Sequence, residues 1–169
     1  MKKILLGILI SVVGLLLPTA VFAQADFDHV RLFTSDITLN QDASIDVKET
    51  VDYHFSTYRH GIYREIPTNY KTAGSFTRPT ILRLNNLYYY RTSLPTNTYD
   101  EYERSTSNGY TVLKIGDAEE TIIGEYTYII DYKLTYAVNY FDDHDELYIN
   151  VTGNGWEVPI RSVVANISL

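Results

Sequence analysis

From Ser44 to Phe55 the chain alternates. Ile45, Val47, Val51, Tyr53 and Phe55 fall on one parity, and Asp46, Lys48, Thr50, Asp52 and His54 on the other. Glu49 is the one polar residue on the apolar side. A period of two sustained over this length predicts a half-buried strand. Glu125 to Tyr136 repeats the pattern: Tyr126, Tyr128, Ile130, Tyr132, Leu134 and Tyr136 share one face, opposite Glu125, Thr127, Asp131, Lys133 and Thr135, with Ile129 as the exception. A helix would scatter these side chains around its axis, so helix is rejected. Val30 to Leu39 is a further strand, joined to the first by Asn40–Ala43, whose Asn and Asp tolerate turn backbones. Thr80–Leu87, Tyr99–Ser105, Tyr110–Ile115, Glu146–Thr152 and Ser162–Leu169 complete the set, with Asn108-Gly109 as a hairpin turn. Thr68–Thr77 is polar and reads as an exposed loop. The fold class that follows is all-β, an antiparallel sandwich of immunoglobulin-like, Greek-key type, with a barrel as the alternative.

The first segment does not belong to that pattern. Lys2 and Lys3 precede an uncharged apolar run from Ile4 to Leu17, then Pro18 and the small-residue tail at Ala23 and Ala25. This is the layout of a secretory signal peptide over residues 1–23, a helix preceding the β domain at 24–169. The alternative is an uncleaved anchor, since the charge-free stretch is long enough to cross a bilayer. Either way, the remainder is expected on the outer side of the cytoplasmic membrane, in the cell envelope or secreted.

Composition narrows the chemistry. The chain has 169 residues, a net charge of −7 and no cysteine. The acidic balance disfavours nucleic acid as a partner. The missing thiol removes disulfides, Cys-ligated zinc, iron–sulfur clusters and cysteine nucleophiles. The 16 tyrosines favour strands and recognition surfaces.

Three strings stand out in order: G-I-Y-R-E-I-P at 61–67; K-I-G-D at 114–117, followed by the tyrosine-rich strand; and D-E-L-Y-I-N-V-T-G-N-G-W-E-V-P-I at 145–160. Together they resemble the N-terminal extracellular domain of the YciQ-like predicted membrane proteins (domain of unknown function 2207), over about Asp28 to Leu169. The resemblance implies a signal sequence, a β-rich outer domain and then transmembrane helices. Ile149 stands where the family usually has Trp. The sequence stops at Leu169, so the chain is read as lacking the family's C-terminal transmembrane part. Membrane association is expected through the leader or through those missing helices. The family brings no catalytic residues and no cofactor.

Five residues in these strings are the partner-facing candidates: Arg64, Glu65, Asp145, Glu146 and Trp156. Arg64 and Glu65 could grip a charged group on a bend made by Gly61 and Pro67; the plainer reading makes them an ion pair with each other, anchored by Tyr63 and Ile66. Asp142–Glu146 is the densest acidic cluster, a solvated loop or a weak calcium site, without EF-hand spacing. Trp156 is a core or inter-sheet plug, or else a ligand platform. The tyrosines of the Glu125–Tyr136 strand read as core, and at least one of Tyr88–Tyr90 must face outward. The four histidines have no metal-ligand spacing, and no nucleophile elbow or phosphate loop occurs. No metal and no cofactor is therefore expected, and no enzyme. The expected function is an exported binding or sensory ectodomain whose partner is an envelope protein or glycan. The alternatives are an envelope hydrolase using paired carboxylates and a structural module whose last strand pairs with another chain.

Overall fold

The computed structural model describes residues 26–71 and 77–169. The leader at 1–23 lies outside them. Thirteen strands occur among the described residues: β1 (His29–Leu39), β2 (Ile45–Arg59), β3 (Ile62–Pro67), β4 (Asn69–Lys71), β5 (Thr77–Pro79), β6 (Ile81–Arg91), β7 (Thr98–Tyr99), β8 (Tyr102–Ser107), β9 (Tyr110–Ile115), β10 (Ile122–Thr135), β11 (Val138–Tyr140), β12 (Asp145–Leu147) and β13 (Val163–Ser168). The described residues contain no helix.

Six strands form the main sheet, in the order β13-β1-β2-β10-β6-β7, and three form a second, β3-β9-β8. All pairs are antiparallel except β1 with β13. The alternation read from sequence sets both faces of β2: Ile45, Val47, Glu49, Val51, Tyr53 and Phe55 are buried, while their neighbours are half-buried or exposed. The facing residues of β10 (Tyr126, Tyr128, Ile130, Tyr132 and Leu134) and of β1 (Phe33, Ile37) complete that wall. Ile62 and Ile66 of β3 with Leu113 and Ile115 of β9 close it from the second sheet, so the two sheets share one apolar core. This is the sandwich that the alternation predicts.

The structure departs from the sequence reading at five places. The strand expected over Tyr99–Ser105 is two strands, β7 pairing with β6 in the main sheet and β8 with β9 in the second. G-I-Y-R-E-I-P is not a bend but strand β3, paired along its length with β9. Part of Thr68–Thr77 is strand, since β4 pairs with β5, and Thr68 is buried. The strand expected over Glu146–Thr152 ends at Leu147. Tyr136, assigned to the core with its strand, is 59% exposed because it leaves β10 with a left-handed backbone (φ 61°). Among the consecutive tyrosines, Tyr89 is buried and Tyr88 and Tyr90 stack on the opposite face, as alternation requires.

Candidate functional site: a cleft between the sheets

Even-numbered residues of β3 point into the core, and Arg64 is one of them. A charge there needs a partner, because burying an unpaired guanidinium is very costly. Glu49, the one polar residue on the inner face of β2, supplies it. Arg64 donates from Nε to Glu49 Oε2 at 2.7 Å and from Nη2 to Oε1 at 2.6 Å, a bidentate pair in which both side chains are essentially inaccessible. Tyr132 donates its hydroxyl to Glu49 Oε1 at 2.7 Å. Burial works against the Arg64 cation, but the Glu49 charge and hydrogen bonds outweigh it and raise its pKa. The Tyr132 hydroxyl is held well above its usual range, first by burial and then by the Glu49 charge. The Arg64–Glu65 ion pair expected from sequence is not formed: neighbours on a strand point to opposite faces.

The rest of the guanidinium holds a loop. Nη1 donates to Glu65 O at 2.6 Å and Nη2 reaches Val151 O at 3.4 Å. The guanidinium carbon lies 5.4 Å from the Phe33 ring centroid and 5.9 Å from that of Trp156. Trp156 meets Phe33 edge-on and donates its indole N–H to Thr152 O at 2.8 Å. The segment from Val151 to Trp156 is thus laid across β3. The approach demands glycine at Gly153: it has φ +74°, and a β-carbon there would fall 2.5 Å from Arg64 Nη1 and 2.8 Å from the Glu65 carbonyl oxygen, whereas one at Gly155 would meet only the movable end of the Glu65 side chain.

Above this support opens a cleft of about 720 Å³, a size typical of small-molecule sites. Its walls come from all three strings singled out in the sequence: Gly61–Tyr63 and Glu65 from the first, Lys114 and Ile115 from the second, Gly155–Val158 from the third. Asp28, Tyr53, Arg59, His60 and Ala118 complete it. Tyr63 is 61% exposed on one wall. Asp28 accepts from Ser56 N and Oγ and from Arg59 Nε, each at 2.8 Å. Those bonds outweigh burial and lower its pKa. The Tyr53 hydroxyl is pushed up to about 12, first by burial and then by the Asp28 charge. The cleft is therefore lined by aromatic rings, by the acidic side chains of Glu65 and Glu157, and by Lys114, whose ammonium lies 3.5 Å from Glu103 Oε1.

Of the five sequence candidates, Glu65 and Trp156 line this cleft, and Arg64 sits beneath it, closed off from solvent. Asp145 and Glu146 do not line it. They lie exposed on β12, where Glu146 accepts a hydrogen bond from Asn139 at 3.1 Å. Among the described residues no three acidic or histidine side chains converge as a metal-ligand group. Sequence reasoning missed Asp28, Tyr53, Arg59, Lys114 and Glu157. Glu49 carried a signal, as a lone carboxylate on an apolar face.

Residues 29–169 match the family described as Predicted membrane protein (DUF2207) N-terminal domain. The chain belongs to this family. The curated "Uncharacterized protein YciQ" of Escherichia coli (strain K12) is 25% identical over 161 residues, covering 90% of this chain and 25% of that protein. The chain thus spans about a quarter of the length of that relative. A crystal structure of a proposed protease from Parabacteroides distasonis superposes with a TM-score of 0.34 at 10% identity, over 63% of this chain and 22% of that one. That likeness is too low to carry an argument. No helix among the described residues is long and apolar enough to cross a membrane.

Proposed function

We propose that this domain is an exported, non-catalytic binding or sensory ectodomain, and that the cleft between its sheets is where it takes its ligand. The observation that carries the reading is convergence: three separated strings of the sequence meet at this cleft. The lining suits a glycan of the cell envelope. Trp156 and Tyr63 offer apolar ring faces, while Glu65, Glu157 and Lys114 offer polar groups to hydroxyl or amino substituents. The leader read at residues 1–23 and the membrane-protein family support a place on the outer side of the cytoplasmic membrane. The test is retention of the purified chain on immobilised envelope glycans, with Tyr63→Ala and Glu157→Gln as comparisons. Retention lost in both variants supports the reading. No retention of the wild type, or capture only of an envelope protein unaffected by either variant, overturns it.

One observation favours a second reading. Glu65 and Glu157 both line the cleft, which is the minimum a paired-carboxylate hydrolase needs. Turnover of an envelope glycan that disappears in Glu65→Gln and in Glu157→Gln would establish it; wild-type binding without turnover would dismiss it.

A further inference from the structure

An edge strand offers unpaired N–H and C=O groups to any other strand, and proteins usually guard such edges with charge, proline or a bulge. Two edges of this sandwich are contrasting cases. β8 carries Glu103 and Arg104. β13 reads V-V-A-N-I-S, with no charge, no proline and no glycine, and all six residues are exposed. Among the described residues nothing pairs with its outer side.

The register fixes which groups point outward. Phe33 N donates to Ser162 O at 2.9 Å, and Phe33 pairs with Val163. The backbone groups of Ser162, Val164 and Asn166 therefore face β1, and those of Val163, Ala165 and Ile167 face the open edge. The same three residues lie beside Phe33, Ser35 and Ile37, all buried on the inner face. Their side chains continue that inner face outward, yet Val163 is 48% exposed and Ile167 57%.

We propose that this edge pairs antiparallel with the same edge of a second copy of the chain, about a two-fold axis at Ala165. An antiparallel ladder must set outward-facing residues opposite one another. Centring on Ala165 places Val163 of each copy against Ile167 of the other, so the two exposed apolar side chains cover each other twice on one face. Ala165 meets its own copy at the axis, where a small side chain leaves room. Val164 meets Asn166 on the outer face. The pattern is self-complementary in the way an isologous interface requires, and the result is one continuous sheet across two sandwiches. The inference does not depend on what the cleft binds.

The absence of cysteine makes the test direct. In the purified full chain, Ala165→Cys is oxidised and run on a non-reducing gel beside Thr106→Cys, which puts a thiol on the other exposed edge. Pairing predicts a disulfide dimer for Ala165→Cys only, lost when Ile167→Lys is added. The register also sets position 162 opposite 168, a non-hydrogen-bonded pair whose short separation suits a disulfide. Mixing Ser162→Cys chains with Ser168→Cys chains should therefore yield a dimer that neither yields alone, a second readout if Ala165→Cys fails to fold. No dimer in either format, equal dimer from Thr106→Cys, or a dimer indifferent to Ile167→Lys overturns the proposal; the last is the outcome expected if another segment of the protein covers β13.

Discussion

The Arg64–Glu49 pair gives the most exacting test of how the two sheets are held together. Truncating Arg64 to Met leaves the Glu49 carboxylate, 0% exposed, with the Tyr132 hydroxyl donating to it. Breaking a buried ion pair from one side costs about 3–5 kcal/mol, most of it the desolvation of the abandoned charge. A domain stabilised by about 5–15 kcal/mol in total loses a large share of that. At this chain length the melting temperature should fall by roughly 6–20 °C. Glu49→Leu should cost a similar amount for the mirror reason, because it strands a buried guanidinium. The combination Glu49→Leu, Arg64→Met and Tyr132→Phe removes every charge and hydroxyl of the network at once. It should lie within about 2 kcal/mol of the wild type, since apolar replacement of a whole buried pair is often neutral. Chemical denaturation of the single and combined variants reads these differences, and the coupling between sites 49 and 64 should be about 3 kcal/mol. If Arg64→Met costs less than about 1 kcal/mol, or if the two single effects simply add, the pair does not bridge the sheets as argued.

Two tyrosines on one face of β10 should respond to the same substitution with opposite signs. The Tyr128 hydroxyl is buried without a hydrogen-bond partner, so Tyr128→Phe should raise the melting temperature; Tyr132→Phe removes a bond to a carboxylate and should cost about 1.5–3 kcal/mol. His54 lies between Glu125 at 2.7 Å and Asp26 at 2.8 Å, with Arg31 on the same Glu125; burial pulls its pKa down, but the bonds to both carboxylates win and raise it above 6.5. The stabilisation it brings is fully present below pH 6.5 and is lost as pH rises through the higher folded value, so denaturation midpoints should fall across that window and His54→Gln should flatten the slope. Gly153→Ala places a side chain at φ +74° against Arg64 and the Glu65 carbonyl and should cost about 1–3 kcal/mol; Gly155→Ala meets the flexible end of Glu65, so it should leave denaturation nearly unchanged while altering ligand retention by the cleft.

Much of the sandwich was legible because β1, β2 and β9 obey a simple parity, and parity decides which side of a strand meets water; in β10 it holds only from Ile130 onward, since Tyr126–Ile130 are buried on both faces. It failed where backbone groups find partners outside a ladder. Glu146–Thr152 has strand-like residues, yet Val151 turns its carbonyl toward Arg64 and Thr152 gives its own to Trp156. Those contacts replace the ladder that a strand would need, and the first joins residues 87 positions apart in the chain. In β3 the difference runs the other way: the bend expected between Gly61 and Pro67 is a paired strand, because Pro67 stands at its terminus, where proline is tolerated. The Arg64 partner was half visible. Glu49 broke an otherwise apolar face and so announced a buried counter-charge, but nothing local could say that the charge came from the facing sheet.

The cleft and the core are linked through two consecutive residues. Arg64 points inward and fixes, from beneath, the segment that ends in Gly155 and Trp156; Glu65, on the opposite side of the same strand, lines the cleft against that segment. One wall of the cleft is therefore held in place by the most deeply buried ion pair in the described structure. Arg64 is best understood as a positioning residue: its loss should loosen Trp156 even though no ligand in the cleft could touch it. The partner-facing role expected for Arg64 does not fit its burial; alternation turns its neighbour Glu65 toward the cleft instead.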